Sequence, residues 1–125
     1  MILKFIPALI WACIIALLCL LPQSAFYNPR FLQKIPADKI VHFGMFFILS
    51  FFAWRGIQNK LLGAFNLCVL SLFLILIAYG GLTELSQNWF TKTRHTEFLD
   101  FITDCAGIIF GFFFYLIIFK RKISA

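Results

Sequence analysis

Four of the five carboxylates in this chain, Glu84, Glu97, Asp100 and Asp104, fall in one stretch, TELSQNWFTKTRHTEFLDFITDCAG, from Thr83 to Gly107; Asp38 is the fifth. Glu97, Asp100, Asp104, Gly107 and Gly111 are spaced three, four, three and four, which puts all five on one stripe of a helix beginning near Glu97. Glu84 and Gln87 lie three apart, with Asn88 four from Glu84, and Asp38 and His42 lie four apart, so two more polar faces arise on other segments. Three acids on one stripe cannot all carry charge cheaply, and a proton, Arg94 or a bound cation is needed to neutralise at least one. Such a set suits a general acid and base pair, a divalent cation held with His42 or His95, or proton passage. No spacing selects among the three. The run from His95 to Asp100 lacks a zinc pattern, no glycine-rich phosphate loop is present, and Ser86 has no nucleophile context. Glu84, Asp100 and His42 are the candidates for catalysis, and no metal or cofactor is expected.

The segments that must position these groups are apolar. Hydrophobic residues make up 62% of the 125-residue chain and charged residues 13%, and the mean hydropathy is +0.95, which excludes a soluble domain. Runs such as FGMFFILSFFAW and FGFFFYLIIF have no polar side to offer water. Charged residues bound four apolar segments, Phe5 to Leu21, Ile40 to Trp54, Leu61 to Leu82 and Phe101 to Phe119, and at ~1.5 Å per helical residue most approach a bilayer core of ~30 Å. The second is short unless it takes in flanking residues. None alternates polar with apolar residues, so the expected fold is all-α, one integral membrane bundle of four transmembrane helices. The first segment has a rival reading as a cleaved leader, set by Lys4 and the small residues of QSA; its length and Gln23 argue against cleavage.

Within such a bundle Gly107 and Gly111 form a small-xxx-small pair that admits a neighbouring helix, which turns the acids above them inward. Trp54 and Trp89 read as interfacial belt residues and Trp11 as a lipid or core contact. Cys13, Cys19, Cys68 and Cys105 lie in or beside apolar segments without ligand spacing and read as small apolar residues. The formal charge of +6 does not indicate nucleic acid, because the basic residues are scattered at segment ends. Four spans put both termini on one side with Lys4, Arg55, Lys60, Lys120, Arg121 and Lys122; the other side holds Arg30, Lys34, Lys39, Lys92, Arg94 and every acid. The compact RGIQNK loop and KRK tail then place the termini in the cytoplasm and the acidic stretch outside.

DKIVHF near the second segment, TELSQ after the third and RHTEFLDFITDCAGIIFG entering the fourth together resemble the VanZ-like family of small bacterial membrane proteins, over about Asp38 to Gly111. The residues that carry the resemblance are Asp38, Lys39 and His42, then Glu84 and Gln87, then Arg94, Glu97, Asp100, Gly107 and Gly111. Asp104 stands where the family usually has Asn, which adds a negative charge, and Glu97 stands where Asp is common. The resemblance implies a four-span protein of the bacterial cytoplasmic membrane in the setting of the cell envelope, since the family is named for a member linked to resistance to the lipoglycopeptide teicoplanin. It supplies a setting and no reaction.

The leading expectation is an outward polar cluster, made of Asp38, Lys39, His42, Glu84, Gln87, Arg94, Glu97, Asp100 and Asp104, that binds or processes an amphiphile such as a lipid-linked envelope component or a lipoglycopeptide. A second is a membrane hydrolase or transferase with Glu84 and Asp100 as acid and base and Arg94 holding a phosphate or sugar anion. A third is a structural subunit with a membrane-protein partner or a second copy, and a proton or ion carrier is a fourth. Membrane lipid is the common partner in all of them.

Overall fold

The computed structural model describes residues 2–20, 37–57, 67–90 and 98–123, with backbone alone at 37, 38, 90 and 120–123. A short 3-10 turn, Ile2–Phe5, leads into α1 (Ile6–Leu20); α2 spans Ala37–Gly56, α3 Leu67–Phe90 and α4 Phe98–Ile123. Pro7 sits in the first turn of α1, where a missing N–H costs no helical bond. The last turn of α2 tightens as the Ile57 amide bonds the Trp54 carbonyl at 3.2 Å. Hydroxyls inside the helices return to their own backbone, Thr83 to the Gly80 carbonyl at 2.8 Å and Thr103 to that of Leu99 at 2.7 Å. In an apolar medium such internal bonds are the cheapest way to keep a hydroxyl.

The described residues form an all-α membrane bundle of four helices. The segments Ile2–Leu20, Leu67–Trp89 and Phe98–Phe119 are each long and apolar enough to cross a bilayer. Their outer faces present Leu9, Leu17, Leu74, Ile75, Phe110 and Ile117, all well exposed, while His42, Ser50, Glu84, Gln87, Asp100 and Asp104 are buried. This inversion of a water-soluble fold is what lipid as solvent demands. α2 has 20 residues, about 30 Å of helix, and carries Lys39, His42, Ser50 and Arg55 within an otherwise apolar sequence. It lies along α4 over most of its length, so His42 and Ser50 face protein rather than lipid, while Arg55 stays exposed in the last turn.

The register between α2 and α4 is set by glycine. A Cβ on Gly107 would stand 2.5 Å from the Phe43 carbonyl oxygen and 3.0 Å from the Phe47 nitrogen, and one on Gly111 would stand 2.7 Å from the Phe47 oxygen. Only a bare backbone allows this approach. Phe43 at Gly107, Phe47 at Gly111 and Phe51 beside Tyr115 (ring centroids 6.2 Å apart) advance in step, so α2 and α4 run parallel. α3 runs against both, with Gly80 at Asp104 and Phe73 packed on Phe112 at 5.1 Å. α1 is likewise antiparallel to α2: the Trp11 Nε1–H donates to the Met45 carbonyl at 2.9 Å and Gly56 accommodates the Phe5 ring. The Tyr79 hydroxyl ties α3 to α1 through the Ala12 carbonyl. One apolar cluster fills the space between α1, α2 and α3 around Ile15, Phe46 and Leu76; a second, around Trp54, Val69 and Tyr115, closes the end away from the acids.

One detail departs from the sequence reading. Trp54 is not an interfacial belt residue: it is fully buried, its ring lies 4.7 Å from Phe73 and 4.5 Å from Phe112, and its Nε1–H donates to Ser50 at 2.9 Å. The bond one turn back meets the requirement that draws an indole to the headgroups. α3 continues past the apolar run that ends at Leu82 to Phe90, as the helical spacing of Glu84 and Gln87 implied, and those polar side chains turn inward. Trp89 remains 69% exposed near the end of α3, as a belt residue would be.

Candidate functional site

The chemistry-bearing side chains meet where α2 and α4 begin and α3 ends. On α2, Lys39 and His42 are three apart and share a face; on α4, Asp100 and Asp104 are four apart; on α3, Glu84 and Gln87 are three apart. Parallel α2 and α4 bring two helix N-termini to the same end, and their partial positive charge favours Asp100 in the first turn of α4. Gly107 and Gly111 hold α4 so close to α2 that Asp104, one turn above Gly107, reaches the His42 ring.

His42 Nδ1 lies 3.0 Å from Asp104 Oδ1 and 3.6 Å from Glu84 Oε1, so one ring nitrogen faces carboxylates from two other helices. Lys39 Nζ lies 3.5 Å from Asp100 Oδ1 and keeps about a third of its surface exposed, while Asp100 is buried. The pair thus grades the cluster from a wet ammonium at the rim to a dry imidazole inside. Gln87 and Thr83 are buried on the same stretch of α3. Beside them a cleft of about 110 Å³ opens between α1 and α3, walled by Cys19, Leu20, Leu82 and Thr83 among others.

Of the residues singled out in the sequence, the structure brings Lys39, His42, Glu84, Gln87, Asp100 and Asp104 to one end of the bundle, with Gly107 and Gly111 beneath them on α4. The side chain of Asp38, and Arg94, His95 and Glu97 entirely, lie outside the described residues. Sequence reasoning missed Ser50, whose hydroxyl donates to the Ile108 carbonyl at 2.7 Å and accepts from Trp54. A lone serine in FFILSFFAW, one turn before a tryptophan, was the available signal. The four cysteines form no disulfide; Cys13 and Cys68 are exposed on apolar faces.

Compared with known proteins, this chain matches no family model, no curated protein and no solved structure.

Proposed function

We propose that this chain is a VanZ-like protein of the bacterial cytoplasmic membrane that binds or processes an amphiphile through its polar cluster. The observation that carries the reading is the juxtaposition of Lys39, His42, Glu84, Asp100 and Asp104 at one end of a bundle whose flanks are lipid-facing. A ligand with a polar head and an apolar tail meets both environments within one helix length, and intramembrane ionisable residues mark such sites. Candidate ligands are a lipid-linked envelope component and a lipoglycopeptide such as teicoplanin. The compact RGIQNK loop and KRK tail support cytoplasmic termini, which directs the cluster outward.

The test replaces Glu84, Arg94 and Asp100 singly by alanine and reads ligand retention by native mass spectrometry alongside accumulation in the membrane. Each variant is expected to accumulate and lose the ligand. If all three fail to accumulate, the cluster is a fold-stabilising network and the proposal is wrong.

A second reading, hydrolysis or group transfer on a membrane lipid, draws on the 3.0 Å approach of Asp104 to His42, a contact that orients an imidazole for acid and base work beside Glu84. Unaltered bacterial lipid extract after incubation with the purified protein, across pH and divalent cations, would count decisively against it.

A further inference from the structure

The inner part of the cluster has a geometry that amphiphile binding does not require. Donor atoms of His42, Glu84 and Asp104, one residue from each of three helices, lie within 4.8 Å of one another. All three residues are at most 2% exposed. The Nδ1 of His42 is 3.0 Å from one carboxylate oxygen and 3.6 Å from the other. Two ligands each ~2.1 Å from a tetrahedral ion sit about 3.4 Å apart, so these separations bracket ligand-to-ligand spacing.

We infer that His42, Glu84 and Asp104 form a binding site for a divalent first-row transition-metal ion inside the bundle. The donor set narrows the ion: calcium and magnesium favour oxygen alone, whereas an imidazole nitrogen with two carboxylates suits zinc or manganese. Within the three-residue set, two carboxylates, a neutral imidazole and a divalent ion sum to zero, a combination that a low-dielectric interior tolerates. Lys39 Nζ lies 3.5 Å from Asp100, toward the rim. The ligands lie far apart in sequence, on α2, α3 and α4, so no contiguous zinc pattern could have announced them. Their assembly depends on Gly107, which lets α4 approach α2 one turn below Asp104. A metal at this point would pin three helices together and, if tetrahedral, leave one coordination position for a water.

The experiment uses the full chain, purified in detergent without a histidine tag, stripped with chelator and titrated with zinc and with manganese. Mass-spectrometric metal analysis after desalting is expected to find one zinc ion per chain, and zinc-edge X-ray absorption one imidazole nitrogen with oxygen donors at about 2.0–2.2 Å. Glu84→Gln and Asp104→Asn are each expected to weaken zinc binding at least tenfold, and Cys105→Ser to leave it unchanged. The wild-type stoichiometry and spectrum decide the matter even where a variant fails to fold. Neither metal retained by the wild-type chain, a sulfur-ligated spectrum, or undiminished binding in both carboxylate variants would overturn the inference. None of these readouts uses an amphiphile, so metal binding and the function proposed above can fail separately.

Discussion

Replacing Gly107 by alanine tests the packing that builds the site. The added Cβ would stand 2.5 Å from the Phe43 carbonyl oxygen and 3.0 Å from the Phe47 nitrogen, both backbone atoms that no rotamer change can move. An ordinary carbon-to-oxygen contact begins near ~3.3 Å, so α2 and α4 must separate locally by about 0.8 Å. Overpacking of this kind costs ~1–3 kcal/mol. The separation also stretches the 2.7 Å bond from Ser50 to the Ile108 carbonyl, worth about 0.6–1 kcal/mol. The helix propensity of alanine over glycine returns up to ~1 kcal/mol, leaving a net loss of about 1–3 kcal/mol. Gly44 provides the control: nothing lies within 4 Å of a Cβ placed there, so Gly44→Ala is expected to be neutral or slightly stabilising. The assay is unfolding in mixed micelles on titration with sodium dodecyl sulfate, followed by tryptophan fluorescence, to which the buried Trp54 between Phe73 and Phe112 contributes. If Gly107→Ala unfolds at the same detergent fraction as Gly44→Ala, the close approach of α2 and α4 is refuted.

Two shorter predictions accompany this one. Ser50→Ala removes both the bond to the Ile108 carbonyl and the acceptor for the Trp54 indole; the same unfolding assay should show a loss of ~1–3 kcal/mol, since a buried N–H is left unsatisfied, and no loss would mean the indole finds another acceptor. For topology, single cysteines at Asn88 and at Ser124, in a chain lacking the native four, are to be labelled in intact cells with an impermeant thiol reagent. Labelling at Asn88 alone is expected; labelling at Ser124 alone would invert the orientation and direct the ligand search to the cytoplasm.

What could be read in advance followed from spacing within a single helix. The stripe of Asp100, Asp104, Gly107 and Gly111 is arithmetic on a 3.6-residue period, and all four are buried on one face of α4. The helical bundle was equally legible, because no other open chain satisfies its backbone in lipid. The partner of the stripe was not. A membrane helix is apolar on nearly every side, so nothing in the sequence of α2 distinguishes Phe43 and Phe47, which touch glycine backbone, from Ile40 and Val41, which face outward. That His42, Glu84 and Asp104 gather at one end was expected from the polar ends of three segments, but which atoms meet was not, since that is set by the register between helices. Trp54 misled because its position beside Arg55 resembles an interface, and only the fold shows that Ser50 serves its N–H.

The parallel pairing of α2 with α4 bears on how the protein is made. A ribosome delivers α2 to the membrane before α3 and α4 exist, and α2 is the helix that carries Lys39, His42 and Ser50. Until α4 emerges, the serine and histidine that end up against it must be sheltered by the insertion machinery or by α1 and α3. α4, which follows the other three described helices, therefore completes the residence of α2 in the bilayer. Until α4 is in place the cluster lacks Asp100 and Asp104, so a partly inserted chain has no complete site.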